Sequence, residues 1–425
     1  MANISIITIG DELLIGQVID TNSAWMGQEL NKSGFWVNRR VAIGDGRDEI
    51  LKTLKEESLH TDIILITGGL GPTADDITKP VLCEYFHTTL VINEEALENV
   101  KNIFTKILNR PLIERNLKQA EVPASCTVIQ NKRGTAPGML FEENGKIFVS
   151  MPGVPHEMKG MMTESVIPYL HNKFATNYIS HRTLLTAGVG ESTLADHVRD
   201  LEENLPPEIK LAYLPNYGMV RLRLTANAGE KGELDLKLDE LFSQLKSRVS
   251  EWMVTDTDIT IQEAIGKLLI SKGCTMSSAE SCTGGYVAQL ITSIPGSSTY
   301  YRGSVIAYDN RVKINMLGVD PSILSASGAV SEETVRAMVR GALSKLETDY
   351  AIATSGIMGP GGGSREKPVG TVWIAAGSAQ RIITQKLWFR FDRQRNTELT
   401  GANVLNLLRT LILSESTEKL SAGVK

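Results

Sequence analysis

Ser281 stands in the run Glu280-Ser281-Cys282-Thr283-Gly284-Gly285. A serine hydroxyl becomes a nucleophile only with a base beside it and with donors placed for the oxyanion that forms. Gly284 and Gly285 permit a sharp turn and let a substrate approach the backbone. The amides of a following helix start supply donors, and the helix dipole favours negative charge there. The run therefore suits a serine presented on a strand-turn-helix bend. Taken alone it suits equally a phosphate- or carboxylate-holding loop, or a capped helix start.

Composition narrows the choice of base. The six histidines are His60, His87, His156, His171, His181 and His197, so chemistry in the last half of the chain runs without imidazole. A lysine or a tyrosine remains, and Ser–Lys pairs are one known solution. Tyr308-Asp309-Asn310-Arg311-Val312-Lys313 follows a predicted strand and opens a predicted helix. Tyr308 and Lys313 can both reach a site built at strand ends, although a lone helix lysine is commonly solvated. The glycine run from Thr354 to Gly363, with Ser355 and Gly356 at its start, exposes N–H groups suited to phosphate or a carbonyl oxygen. It also fits a surface loop. Arg393 and Arg395 can hold an anion bidentately, or simply face water. Cys282 competes with Ser281 as nucleophile. Its side chain is expected to point away from Ser281, and small buried cysteines are common.

A second constellation lies near the N-terminus, at Thr67-Gly68-Gly69-Leu70-Gly71-Pro72-Thr73-Ala74-Asp75-Asp76. Backbone amides beside acidic side chains suit a phosphate–metal complex, the loop taking phosphate and the carboxylates a divalent ion. Asp11, Glu12 and Asp45 fall at neighbouring predicted strand ends. Ordinary turn chemistry explains Gly and Asp in such loops as well. His156 reads as a polar loop histidine rather than a ligand.

The elements that must position these residues alternate. Predicted strands at Ile4–Ile9, Trp36–Ile43 and Asp62–Thr67 are separated by helices at Asp20–Ser33, capped by Asp20, and Arg47–His60. This pattern predicts a parallel sheet covered by helices, with ligands at the carboxyl ends of the strands. A small α+β module follows, with strands at Arg182–Ala187 and Val220–Thr225 and helices at Glu191–Glu203 and Glu233–Trp252. The last module carries strands at Thr275–Ala279, Val305–Tyr308, Tyr350–Ala353, Thr371–Ala376 and Ile382–Phe389. Its helices are Ile259–Ser271, Arg311–Leu317, Ser331–Leu346 and Asn396–Leu413, and the polar tail after Ser414 is expected to fray. The chain thus reads as α/β in three domains, 1–172, 175–255 and 258–415.

The 425 residues carry a formal net charge of -5, which argues against a nucleic-acid-binding body. No apolar run approaches the ~20 residues of a membrane span. Cys83, Cys126, Cys274 and Cys282 form no CxxC pair, which argues against a zinc site or a disulfide framework. The expected compartment is a reducing one.

The runs AESCTGG, RGSVIAYDNRVKINMLGV, SGIMGPGGGSREKPVGTV and FDRQRN, in order across residues 259–413, closely resemble the C-terminal domain of the CinA competence/damage-inducible family. Stand-alone relatives of that domain are nicotinamide mononucleotide amidohydrolases. The resemblance implies Ser281 as nucleophile, Lys313 as its base, Tyr308 and Arg395 completing the site, and no metal there. Thr283, Gly284, Gly285, Ser355 and Gly356 are expected to bind substrate. GDELLIGQVIDTNSAWMGQEL, TGGLGPTADDITK, NLKQAEVPASCTVIQNKRGTAPGM and MPGVPHEM resemble the same family's N-terminal half, a molybdopterin-binding-like fold. That half implies a divalent-metal-dependent (Mg, Mn or Co) ADP-ribose pyrophosphatase. Asp45, Asp75 and Asp76 are the expected metal residues, and Asp11, Gly68, Gly69 and Gly71 the expected substrate residues. Binding of a pterin or nucleotide without turnover, or a competence role, are the rival expectations.

The middle module is called KH-like in this family. Its Gly229-Glu230-Lys231-Gly232 reads GxxG but carries no basic excess. It is expected to serve as an interdomain or dimer element that reaches the N-terminal site through Tyr213, Asn216 and Tyr217. A cytoplasmic homodimer acting on nicotinamide mononucleotide and ADP-ribose, without nucleic acid or membrane, is the combined expectation.

Overall fold

The computed structural model describes residues 2–73, 75–174, 178–228 and 232–422. The chain forms two compact units, Met1–Ser180 with Asn227–Gly232, and His181–Ala226 with Glu233–Lys425. The middle module therefore belongs largely to the same unit as the C-terminal module.

In the first unit the strands are β1 (Ile4–Ile9), β2 (Val37–Ile43), β3 (Ile63–Thr67), β4 (Leu90–Ile92), β5 (Glu121–Pro123), β6 (Thr127–Ile129), β7 (Gly138–Glu143) and β8 (Lys146–Met151). The main sheet has the order β2-β1-β3-β8-β7-β6. The neighbours β2, β1, β3 and β8 run parallel, while β7 and β6 each pair antiparallel. The three strands that the alternation predicts pair in parallel as expected, and the sheet becomes mixed only beyond β8, where Asn144 and Gly145, both at positive φ, close a tight hairpin between β7 and β8. Ile4 and Ile6 pack with Met26 and Leu30, and Ile7 and Ile9 with Ile50 and Leu54 on the other face. Burial on both faces is why β1 and β3 are mostly isoleucine and leucine, broken only by the buried Ser5, Thr8 and Thr67. The helix Thr21–Lys32 starts where Asp20 accepts the Ser23 N–H at 2.9 Å, as its sequence predicts.

The second unit opens with a sheet of order β10-β11-β9-β12, built from β9 (Tyr178–Ala187), β10 (Ile209–Asn216), β11 (Met219–Ala228) and β12 (Met253–Thr255). Strand β10 is not evident in the sequence, since Pro215 and the polar Asn216 break its apolar alternation. The helix expected to reach Trp252 ends at Arg248. Of the GxxG run, residues 229–231 lie outside the described residues.

The C-terminal sheet has the order β14-β13-β15-β16-β17, from β13 (Met276–Glu280), β14 (Tyr301–Ile306), β15 (Tyr350–Gly356), β16 (Thr371–Ser378) and β17 (Ile382–Trp388). The first three run parallel and the last two antiparallel. Ala279, Ala351, Ala353 and Ala375 meet Val335, Met338, Val339 and Ala342, so small sheet residues let the helix Glu332–Leu346 sit close. The other face carries Met276, Ile352 and Ile374 against Leu405, Leu408 and Ile412 of the helix Arg393–Ala422. That helix begins before and ends after the predicted span. Glu415 anchors its far part by accepting from Tyr350 Oη at 2.9 Å and Ser378 Oγ at 2.6 Å, so the helix passes Ser414 instead of fraying there. Strand β14 ends at Ile306, two residues before the predicted end, which puts Tyr308 in the following loop. No helix among the described residues is long and apolar enough to cross a membrane.

Candidate active sites

Ser281 is the first residue past β13, and its N–H donates to the Thr354 carbonyl at 2.9 Å. This bond ties the Ser281 loop to the neighbouring strand β15. Lys313 sits in the first turn of the helix Asn310–Leu317, whose start Asp309 caps by accepting the Arg311 N–H at 2.7 Å. Its side chain is 1% exposed. Nζ donates to the Ala307 carbonyl at 2.7 Å and to the Tyr308 carbonyl at 3.1 Å. Burial pushes its pKa below the ordinary lysine value, and no carboxylate among the described residues forms an ion pair with it.

Cys282 packs into the apolar core beneath the sheet, and burial pushes its thiol up to about 12. A thiolate is the nucleophilic form, so this environment disfavours Cys282 and leaves Ser281 as the better candidate. Thr283 Oγ1 bridges Glu280 Oε2 and Thr354 Oγ1, each at 2.7 Å. Gly284 and Gly285 adopt φ of +61° and +101°, which a side chain would strain. The amides at the helix start, expected to be free, are largely taken. Gly285, Val287 and Ala288 N–H all donate to the Glu280 carboxylate, a group the sequence reading did not single out.

Ser355 Oγ donates to the Ala329 carbonyl at 2.7 Å, so this hydroxyl braces the loop. Gly356 is needed for packing, since a Cβ there would stand 2.7 Å from Val372 Cγ2. The two arginines divide their work differently from the expectation. Arg393 Nη2 donates to the exposed Tyr308 hydroxyl at 3.1 Å and Nη1 to the Gly359 carbonyl at 2.9 Å. Arg395 instead lies over the rings of Tyr217 and Phe391, 4.7 and 5.6 Å from their centroids. Tyr217, expected to serve the N-terminal site, thus meets a residue of the C-terminal one. Asn396, fully buried, donates to the Met358 and Phe391 carbonyls at 3.0 Å each and fastens the glycine loop to the helix.

At the N-terminal site the carboxyl-end loops of β1, β2, β3 and β8 enclose a cavity of about 380 Å³. Glu12, Asp45, Asp75, Asp76, Gly68, Gly69 and Gly71 line it. Gly68 has φ of +118° and its Cβ would meet the Ile9 carbonyl at 2.2 Å, so only glycine fits. Gly69 is equally confined, by Thr78 Oγ1 at 2.2 Å. Asp11 and Asp45 exchange bonds, each carboxylate accepting the other's N–H at 3.1 Å. Desolvation, with repulsion from Asp11, Glu12 and Asp75, raises the Asp45 pKa. Asp76 turns back onto the Thr73 N–H and hydroxyl.

Among the described residues no group of three or more His, Cys, Asp or Glu side chains forms a ready-made metal cage. The mutual repulsion around Asp45 is nonetheless what a cation would offset, and Mg²⁺-like ions often use one or two carboxylates plus substrate phosphates. The residues present fit that mode, with Asp45 and Asp75 as holders and Asp76 committed to its turn. His156 is not among the cavity residues. Gln119 is, 6% exposed and with no partner for its Oε1 among the described residues, while its carbonyl accepts from the buried Lys79 Nζ at 2.8 Å.

Three family models match this chain: "Probable molybdopterin binding domain" over residues 5–172, "Damage-inducible protein CinA KH domain" over 181–254, and "CinA C-terminal domain" over 258–412. A CinA-like protein of Cytophaga hutchinsonii is 44% identical over 95% of this chain and 96% of its own length. The chain belongs to the CinA family. A CinA-like protein of Flavobacterium psychrophilum is 42% identical over 96% of this chain and 98% of its own. A solved CinA superfamily protein from Klebsiella pneumoniae is 31% identical, covering 36% of this chain and 96% of that one at a TM-score of 0.36.

Within the CinA C-terminal span Ser281 follows the carboxyl end of β13, and Tyr308 and Lys313 follow that of the neighbouring parallel strand β14, Tyr308 in the connecting loop and Lys313 in the first turn of the helix it opens. Sequence reasoning missed Glu280, Asn396 and the Tyr217–Arg395 stack, and in the N-terminal span Lys79 and Gln119. Glu280 and Lys79 lie inside the quoted CinA runs, yet a lone carboxylate or lysine beside a glycine loop carries no sign of burial.

Proposed function

We propose that the C-terminal site hydrolyses the carboxamide of nicotinamide mononucleotide to the carboxylate and ammonia, with Ser281 as nucleophile and Lys313 as base. The supporting observation is the setting of Lys313 Nζ, buried and donating to two main-chain carbonyls. A neutral amine has two N–H bonds and one lone pair. Two carbonyl acceptors satisfy the N–H bonds and leave the lone pair for the serine proton. Ser281 Oγ bonds to the amide carbon as Lys313 takes its proton, and that proton leaves with ammonia. Water then adds to the resulting ester, gives Lys313 a proton, and releases the acid as Ser281 recovers it. Arg393, Tyr308 and Arg395 are the groups proposed to meet the anionic part of the mononucleotide. Ammonia release in the presence of EDTA tests this directly: wild type active, Ser281→Ala and Lys313→Ala inactive. A wild type that releases no ammonia ends the reading.

The acidic, glycine-lined cavity favours a second activity at the N-terminal site, ADP-ribose pyrophosphatase. A divalent cation held by Asp45 and Asp75 would polarise the phosphoryl oxygens. The Gly68–Gly71 backbone would cradle the pyrophosphate, and Asp11 would hold Asp45 in place through their paired N–H bonds. Hydrolysis of ADP-ribose with Mg²⁺, Mn²⁺ or Co²⁺, lost with EDTA and in Asp45→Asn, is the expected result. Failure with every ion would leave a site that binds a pterin or nucleotide without turnover. The acidic balance sets the reading against direct nucleic-acid binding, and we place the protein in the cytoplasm as a homodimer.

A further inference from the structure

Glu280, the last residue of β13, is 1% exposed and has no ion-pair partner among the described residues. A buried carboxylate without a counter-charge is costly unless hydrogen bonds satisfy it. Four donors do so. Oε2 accepts from Thr283 Oγ1 at 2.7 Å, Gly285 N–H at 3.0 Å and Val287 N–H at 3.1 Å, and Oε1 accepts from Ala288 N–H at 2.7 Å. The carboxylate thereby occupies the N-terminus of the helix Tyr286–Thr292, the place where a substrate oxyanion would otherwise be sought.

The remaining amides of the loop can be followed one by one. Ser281 N–H goes to the Thr354 carbonyl at 2.9 Å, Gly284 N–H to the Ser281 carbonyl at 3.2 Å, and Tyr286 N–H to the Thr283 carbonyl at 3.0 Å. Between Ser281 and Ala288, Cys282 and Thr283 are the residues whose N–H groups have no acceptor among the described residues. Both directly follow the nucleophile. In strand-turn-helix hydrolases the N–H after the nucleophile is an oxyanion donor.

We infer that Glu280 is a positioning residue of this site: by binding the helix-start amides and Thr283 it shapes the loop so that the Cys282 and Thr283 N–H groups receive the carboxamide oxygen as it becomes negative. The inference rests on the amidohydrolase reading above. A helix cap alone would contribute stability and leave the chemical step untouched. A positioning role acts on the chemical step, because the negative charge on the carboxamide oxygen is absent from the bound substrate and develops only in the transition states and the tetrahedral intermediate between them.

Glu280→Gln keeps the volume but offers one acceptor oxygen, and its amide group opposes at least one N–H donor. The expected result is a kcat for ammonia release from nicotinamide mononucleotide lower by about 10²-fold, with KM unchanged. Calorimetry in the Ser281→Ala background should show equal mononucleotide binding with and without the added Glu280→Gln substitution. A kcat near that of wild type, or a loss carried by KM, overturns the proposal. The thioamide analogue of the mononucleotide provides a measurement on wild type alone, independent of how the variant folds. Sulfur is a poor acceptor for two amide donors, so turnover of the thioamide should fall sharply. Equal turnover of amide and thioamide overturns the proposal while leaving the amidohydrolase reading intact. A wild type that releases no ammonia at all removes that reading and this inference together.

Discussion

The Arg395 guanidinium lies over the Tyr217 ring, 4.7 Å from its centroid. Tyr217 and Gly218, at φ of +49° and +76°, form the two-residue turn that joins β10 to β11. A hairpin tip from the middle module thus supports an arginine at the start of the last helix. Tyr217→Ala should free that arginine. Loss of about 1 kcal/mol of cation–π contact corresponds to a KM for nicotinamide mononucleotide raised roughly fivefold. Tyr217→Phe should match wild type. Steady-state ammonia kinetics checks both, and an unchanged KM in Tyr217→Ala would separate Arg395 from substrate binding.

Lys313 leads to a pH prediction. Burial stabilises its neutral form, so the folded pKa lies below the ordinary 10.5. The base form does the chemistry. Activity should therefore rise with pH through that lowered pKa and fall as pH drops below it. Lys313→Arg keeps a cation but no base, since guanidinium stays protonated. It should lose about 10²–10⁴-fold in kcat/KM. A pH profile with no rise anywhere below the ordinary lysine value of 10.5 would remove Lys313 as the base.

Cys282 should prove dispensable. With its thiol pushed up to about 12, little thiolate exists at pH 8. Iodoacetamide at that pH should leave ammonia release unchanged, and Cys282→Ser should stay active. Inactivation by alkylation, with activity lost in Cys282→Ser and kept in Ser281→Ala, would reverse the assignment of the nucleophile.

Lys79 carries a stability cost that depends on pH. Its folded pKa falls from 10.5 to about 8, chiefly through desolvation. Because the folded pKa is depressed, the unfolded chain binds more protons between these values, and stability rises with pH there. The cost is full below pH 8 and relieved towards pH 10.5, on the order of 3 kcal/mol in total. Denaturant midpoints for wild type and Lys79→Met, compared at pH 7 and pH 10, should show wild type gaining more on the alkaline side. Parallel pH dependence in the two proteins would mean that Lys79 titrates as an ordinary lysine.

Much of this molecule is written locally. The apolar runs of β1 and β3, the Asp20 cap and the glycine loops after strands follow from short-range sterics and two-sided burial. These local features alone fix where the strand-end loops fall. The absence of histidine after residue 197 left a lysine or tyrosine as the base for Ser281, a matter of composition alone. Other features depend on residues distant in the chain. Strand β10 holds its polar end because β11 pairs with it, and the last helix continues past Ser414 because Tyr350 and Ser378 bond to Glu415. That Lys313 is buried between two carbonyls, that Glu280 rather than a substrate takes the helix-start amides, and that Arg393 rather than Arg395 meets Tyr308 were decided only by tertiary structure. Residue type and spacing determine which groups can do chemistry. Desolvation and hydrogen-bond partners determine which of them are available for it, and these arise only when distant strands and helices close around the same edge of a sheet.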